Sequence, residues 1–250
     1  MEIIEVEAKS ILTPQHAGSL SDHYDYSLNP YAGCAFACTY CYVPKFPNKN
    51  NRLPKEWGGW LEVKTNAPKL IRKDRAKIFG SSIFFSSATD PYQYAELKYR
   101  LTRQCLSEIL HYHPAKLTLH TRSHLILQDI ELLKKFDRNV LSVGVSFTTN
   151  DDTVRKEFEP KAPSVQKRVQ LIKALHEAGI NVVASIAPLL PCQPEEMVKL
   201  LKPYVSKLWV GSINYPEINN KPELLDKYRD FFSPSIQNRV TSFIKQEFSA

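Results

Sequence analysis

Nowhere in this chain does an apolar run approach the roughly 20 residues that a membrane-spanning helix needs, so no such helix is expected. Internal repeats and low-complexity tracts are absent as well, which excludes a solenoid and a long disordered tail. Cysteine is scarce: there are five, three of them between positions 34 and 41, with Cys105 and Cys192 standing alone. An odd, clustered set is a poor disulfide framework and suits a metal site in a reducing compartment. No long Lys/Arg block exists, although the formal net charge is +7. The positive charge is spread, so it favours an anionic partner such as nucleic acid without drawing a basic stripe; a solvated basic surface is the plainer alternative. Met1 to Glu7 is acidic and alternating rather than basic then apolar, so no secretory leader is expected and a cytoplasmic location is. What remains is an ordinary globular composition, 43% apolar and 24% charged over 250 residues, enough to bury a substantial core in one large domain or two small ones.

The chemistry is concentrated between Asn29 and Tyr42. Cys34, Cys38 and Cys41 are spaced C-x3-C-x2-C and bordered by aromatic and small residues. Pro30, Gly33 and Pro44 interrupt regular structure, so the segment reads as a loop leaving a short strand. Ala32, Ala35 and Ala37 leave room for an inorganic group. A structural zinc site wants four protein ligands in a closed tetrahedron. Three thiolates with no fourth beside them suit a cubic iron–sulfur cluster with one iron open to a ligand that is not protein. The alternative is a non-catalytic zinc- or iron–sulfur-binding nucleic-acid-binding protein, with His23 joining the three cysteines as ligand.

Residues 44–62, with Pro47, Pro54, Trp57, Gly58, Gly59 and Trp60, read as an excursion over the surface, and Lys64–Lys77 as a basic helix with Leu70 and Ile71 inward. A strand–helix rhythm follows. Strands are expected at Ile83–Ser87, Lys116–Thr121, Val140–Phe147, Asn181–Ala187 and Lys207–Val210. Helices are expected at Leu97–Leu110, around Ile126–Phe136, at Val165–Ala178 with Gly179 ending it, and at Pro194–Leu201, Pro222–Phe232 and Ser235–Phe248. A loop is expected between residues 147 and 165. Regular alternation implies parallel strands with helices packed outside them. The fold class is therefore α/β, a partial (β/α)6 barrel, with a short N-terminal extension (1–25), a core (26–215) and a C-terminal helical segment (216–250). In such folds the site lies at the carboxyl ends of the strands, where Asp90, Arg122, Ser146 and Cys192 fall.

A C-x3-C-x2-C run followed at once by an aromatic, ahead of a six-unit βα pattern, resembles the radical S-adenosylmethionine (SAM) superfamily. The segments Asn29-Pro30-Tyr31-Ala32-Gly33-Cys34, Ala88-Thr89-Asp90-Pro91-Tyr92-Gln93 with Glu96, Phe158-Glu159-Pro160, Ala162-Pro163-Ser164, Ala174-Leu175-His176-Glu177-Ala178-Gly179-Ile180 and Ala187-Pro188-Leu189 are similar to its spore-photoproduct-lyase-like branch. The similarity runs from about Ile11 to Val210.

The resemblance implies a 4Fe–4S cluster held by Cys34, Cys38 and Cys41, with SAM chelating the open iron. Reductive cleavage of SAM would give a 5′-deoxyadenosyl radical that acts on a substrate, in a lyase- or transferase-type reaction. It implies that Tyr42 lies against the adenine, that Thr89 and Asp90 face the methionyl amine, and that Arg122 and Ser146 face the methionyl carboxylate. It also implies a flavodoxin- or ferredoxin-like electron donor. Charge and relatives favour nucleic acid as substrate, with a small metabolite or peptide still open, and no side chain is singled out as catalytic. Two departures stand out: many relatives carry Arg where Ala32 stands, and Ser87 occupies the position of the hydrogen-donating cysteine of spore photoproduct lyase. Cys192 is a candidate to supply or relay a hydrogen atom instead, or a small packing residue.

Overall fold

Alternate residues of Lys116-Leu117-Thr118-Leu119-His120-Thr121 face opposite sides of a strand, and that period decides how the sheet is clothed. The computed structural model describes residues 1–18, 20–46, 52–213 and 221–249. Its amino-terminal part holds β1 (Glu2–Val6), β2 (Leu12–Pro14), β3 (Tyr26–Leu28), β4 (Tyr31–Ala32), β5 (Trp60–Lys64), α1 (Ala67–Lys73) and α2 (Arg75–Ile78). Next come β6 (Ser82–Phe85), α3 (Glu96–Tyr99), α4 (Leu101–Leu110), β7 (Lys116–Thr121), α5 (Ile130–Leu133), β8 (Leu141–Ser146), α6 (Asp152–Phe158) and α7 (Val165–Glu177). The chain closes with β9 (Asn181–Ile186), α8 (Pro194–Leu201), β10 (Lys207–Val210), α9 (Glu223–Lys227) and α10 (Pro234–Ser249).

The main sheet has the order β10-β9-β8-β7-β6-β3-β2. Every neighbour pair from β3 to β10 is parallel, and β2 closes the edge antiparallel to β3. Six parallel strands with helices between them make the α/β partial barrel anticipated above. Its helix-facing side is apolar: Leu117, Leu119, Val143, Val145, Val182, Ala184 and Ile186 share one buried cluster with Leu106, Ile109, Leu171, Leu175, Met197, Leu201 and Ile244. The concave side carries smaller and more polar residues, among them Thr118, whose hydroxyl receives the Tyr24 hydroxyl at 2.9 Å and lies 3.1 Å from that of Ser142. Among the described residues no helix is long and apolar enough to cross a membrane.

Several elements differ from their expectations. Residues 60–62, expected as surface excursion, and Lys64, expected to open the basic helix, belong instead to β5, where Leu61 and Val63 are buried; β5 pairs parallel with β1 and antiparallel with β4 in a second sheet. The basic helix begins only at Ala67 and breaks at Asp74. Arg100, in a left-handed conformation, divides the expected Leu97–Leu110 helix. The segment around Ile126–Phe136 is a 3-10 stretch followed by the short α5. The expected loop before residue 165 contains α6, whose first turn is capped by the Asp151 carboxylate accepting from Thr153 N and Val154 N. Pro47 and the expected boundary at residues 215 and 216 lie outside the described residues.

Candidate active site at the carboxyl ends of the strands

β4 is two residues long, with Ala32 opposite Glu62 of β5. The chain leaves it at Gly33 and enters the cysteine loop, which turns twice, through Ala37 N to Cys34 O (3.4 Å) and Cys41 N to Cys38 O (3.2 Å). These turns gather Cys34, Cys38 and Cys41 into one packed group with Phe36, Tyr40 and Ala162. Backbone room is supplied from outside the loop: a Cβ on Gly58 would sit 2.3 Å from that of Ala37.

Gln93, fully buried, ties the loop to the end of β6. Its Oε1 accepts from Ala35 N at 2.9 Å, and its Nε2 donates to Thr89 Oγ1 at 3.0 Å and Asp90 O at 3.1 Å. The Thr89 hydroxyl in turn donates to Gly33 O at 2.5 Å. Farther along, the Tyr42 hydroxyl donates to Ser87 O at 2.6 Å, and Asn29 Nδ2 donates to the Ser87 hydroxyl at 3.2 Å.

Asp90 is buried and turned toward β7. Its Oδ1 accepts from Tyr92 N (2.9 Å) and Thr121 Oγ1 (2.7 Å), and its Oδ2 from Arg122 N (2.9 Å). The Arg122 guanidinium places Nη1 at 2.7 Å from Glu159 Oε1, 3.0 Å from the Tyr40 hydroxyl and 3.0 Å from Cys38 Sγ. Glu159 also accepts from Tyr40, from Thr148 (3.0 Å) and from Arg168. Arg168 continues the chain of contacts to Ser146 O at 3.2 Å. Thr89, Asp90, Arg122 and Ser146 are thus joined through the ends of β6, β7 and β8 to the cysteine loop, with Tyr42 tied to Ser87 just past β6.

Burial governs the ionisation of these groups. It pushes the thiols of Cys34 and Cys41 up and that of Cys38 to about 12, and Arg122 opposes the rise at each. The metal-free thiols therefore hold their protons, and loading a metal centre releases them. Burial also raises Asp90, against Arg122 and the Thr121 hydrogen bond. It would raise Glu159 too, but the Arg168 and Arg122 guanidiniums outweigh it and hold that carboxyl below its ordinary value.

Three soft thiols in one packed loop, lined by small residues, fit an iron–sulfur cluster with an open position. The zinc alternative does not fit. A closed zinc site needs its ligands to converge on one ion, and among the described residues no three His, Cys, Asp or Glu side chains do so, whereas a multi-iron cluster lets each thiol take its own iron. His23 is exposed in the turn before β3, at the opposite end of the strands from the cysteines. Cys192 is half-buried and packs against the main apolar core, where burial raises its thiol to about 12. Glu159, Arg168, Gln93 and Tyr40 received no role from the sequence. Phe158-Glu159-Pro160 stood out as a motif, but an ion pair spanning 37 residues has no local spacing to betray it.

Residues 28–202 match the family model described as the Radical SAM superfamily. The chain belongs to the radical SAM superfamily. Its cofactors are accordingly a 4Fe–4S cluster and SAM, and it needs a one-electron donor. An uncharacterized protein of Methanocaldococcus jannaschii is 34% identical over 216 residues, covering 86% of this chain and 78% of that protein. Among solved structures, spore photoproduct lyase complexed with dinucleoside spore photoproduct superposes with a TM-score of 0.61 at 13% identity, covering 79% of this chain and 57% of that one. SuiB of Streptococcus suis bound to S-adenosylmethionine gives a TM-score of 0.56 at 17% identity, covering 88% of this chain and 47% of that one. At these identities the two structures share the radical SAM fold with this chain, which spans about half the length of each.

Proposed function

We propose that this chain reductively cleaves SAM and directs the resulting radical chemistry at a nucleic-acid substrate, as a lyase- or transferase-type enzyme. The observation that carries the proposal is the position of Arg122: one guanidinium lies 3.0 Å from Cys38 Sγ, while its backbone N–H, on the same residue, is held by Asp90. That adjacency supports reading cluster binding and cofactor binding as neighbouring roles.

Cys34, Cys38 and Cys41 ligate the cluster. Bound together, cluster and SAM supply one-electron cleavage of the sulfonium and hydrogen abstraction from a substrate carbon. The protein's own residues bind and orient. Asp90 Oδ2 accepts one short hydrogen bond, from Arg122 N, and so retains acceptor capacity for the methionyl ammonium. Arg122 uses Nη1 within the protein, and among the described residues its Nη2 makes no hydrogen bond, leaving that edge for the methionyl carboxylate, with Ser146 at the end of the neighbouring strand β8. Thr89 steadies the loop behind Asp90, and Tyr42 offers a half-exposed ring to the adenine. The core, 26–215, carries this site, 1–25 is an N-terminal extension and 216–250 a C-terminal helical segment, and a flavodoxin- or ferredoxin-like protein in the cytoplasm supplies the electron.

Nucleic acid is favoured by the net charge of +7 and by the dinucleoside bound in the spore photoproduct lyase structure. Ser87 separates the chemistry from that enzyme's: a hydroxyl that accepts from Asn29 at 3.2 Å is a far poorer hydrogen-atom donor than a thiol. Anaerobic reconstitution tests the proposal. A brown protein with about four irons per chain is expected to yield 5′-deoxyadenosine from SAM and dithionite. A colourless protein with one tightly bound zinc, or an intact cluster that never yields 5′-deoxyadenosine, would overturn it.

A further inference from the structure

Arg122 has more acceptors at Nη1 than that nitrogen has hydrogens. Two N–H bonds face Glu159 Oε1 at 2.7 Å, the Tyr40 hydroxyl at 3.0 Å and Cys38 Sγ at 3.0 Å. Glu159 is the fixed point of this arrangement, fully buried and gripped from the other side by Arg168. The Tyr40 hydroxyl donates its own proton to Glu159 and so receives from Arg122 rather than competing as a donor. Counting Asp90, whose Oδ2 is 4.0 Å from Arg122 Nε, the buried set of Arg122, Arg168, Glu159 and Asp90 is neutral as a whole. Within it the guanidinium of Arg122 is the group in contact with a cysteine sulfur.

We infer, on the basis of the function proposed above, that Arg122 is a redox-positioning residue: its Nη1–H donates to the sulfur of Cys38 and raises the reduction potential of the cluster, with Glu159 setting how much of the charge the cluster feels. Hydrogen bonds to cluster sulfurs and the charge beside them are among the determinants of cluster potential. The added electron places negative charge on the cluster and its thiolates, so a cation and N–H donor at Cys38 stabilise the reduced form more than the oxidised one. Glu159 works against this through its ion pair with the same guanidinium. Because Nη1 faces Cys38 and Nη2 remains for SAM, the residue that recognises the cofactor also tunes the electron that cleaves it. Glu159 touches neither group directly and acts by holding Arg122.

The test needs no variant to begin with. The reconstituted enzyme is grown with 15N-arginine, reduced with dithionite in the absence of SAM, and measured by pulsed electron paramagnetic resonance. A weak 15N coupling to the reduced cluster is expected, and it should vanish in Arg122→Lys while the cluster signal itself remains. A reduced cluster with no 15N coupling, or a coupling that survives Arg122→Lys, overturns the inference and leaves the proposed function standing. A protein that takes up no cluster overturns both. Redox titration then supplies the signs: Arg122→Gln should move the midpoint to more negative potential and Glu159→Gln to more positive potential. Equal midpoints in all three proteins would also overturn it.

Discussion

His120 sits on the concave face of β7 with its ring over Gly144, where an added Cβ would lie 1.9 Å from the imidazole Cδ2. The ring therefore needs a glycine opposite it in the neighbouring strand. Burial, with Arg122 just past the end of the same strand, lowers the His120 imidazole from 6.5 to about 4. The sign of the consequence follows from proton counting. Between pH 6.5 and about 4 the unfolded chain protonates this histidine and the folded chain does not, so the unfolded state binds more protons and stability is lost as pH falls through that window. Above the window the contribution is fully present. Replacing His120 with Asn should flatten the wild-type loss by about 2 kcal/mol between pH 7 and pH 5. Urea unfolding of the metal-free chain at pH 7 and pH 5 checks this, and a variant whose stability falls as steeply as wild type would refute it.

At the scale of elements, the turn ending in Gly58 decides whether the cysteine loop keeps its shape. Gly58 has φ +84° and approaches Ala37 more closely than any Cβ permits. Its carbonyl also receives Lys161 Nζ at 3.3 Å. Gly58→Ala should therefore cost about 1 kcal/mol for the left-handed backbone and a further 1–3 kcal/mol for overpacking. The displaced atoms belong to the cysteine loop, so iron per chain after reconstitution should fall along with the melting temperature. Full iron loading in Gly58→Ala would mean that the turn is only a neighbour of the site. The contact also shows what sequence can and cannot carry. The cysteine spacing and the residues at successive strand ends were legible because strand period and βα order place Asp90, Arg122 and Ser146 on one rim. β5 was hidden inside a proline- and tryptophan-bearing stretch because its partners, β1 and β4, are short and distant in sequence. α6 was hidden because its buried residues are few, and Arg155 is buried by bonding Glu159 O and Ala162 O rather than by apolar packing.

Taken as a whole, the molecule separates what holds the sheet together from what assembles the site. The large apolar cluster lies between the sheet and its helices, whereas the thiols and the Arg122–Glu159–Arg168 contacts lie at the carboxyl ends of the strands. α10 belongs to the first system: it packs on α8 and on the edge strand β10, and Ile244 is fully buried there. Truncating that side chain leaves a cavity in a close-packed layer, which typically costs about 2–5 kcal/mol. α10 reaches the strand ends through Gln237, whose Nε2 donates to Leu189 O at 3.4 Å, whereas none of the site's hydrogen bonds uses Ile244. Ile244→Ala should accordingly lower the urea midpoint by an amount in that range while leaving iron per folded chain and 5′-deoxyadenosine yield per cluster unchanged. Destabilisation with a matching loss of cluster would instead show that the edge of the sheet and the cysteine loop unfold as one unit, and that the separation of the two systems exists only in the static structure.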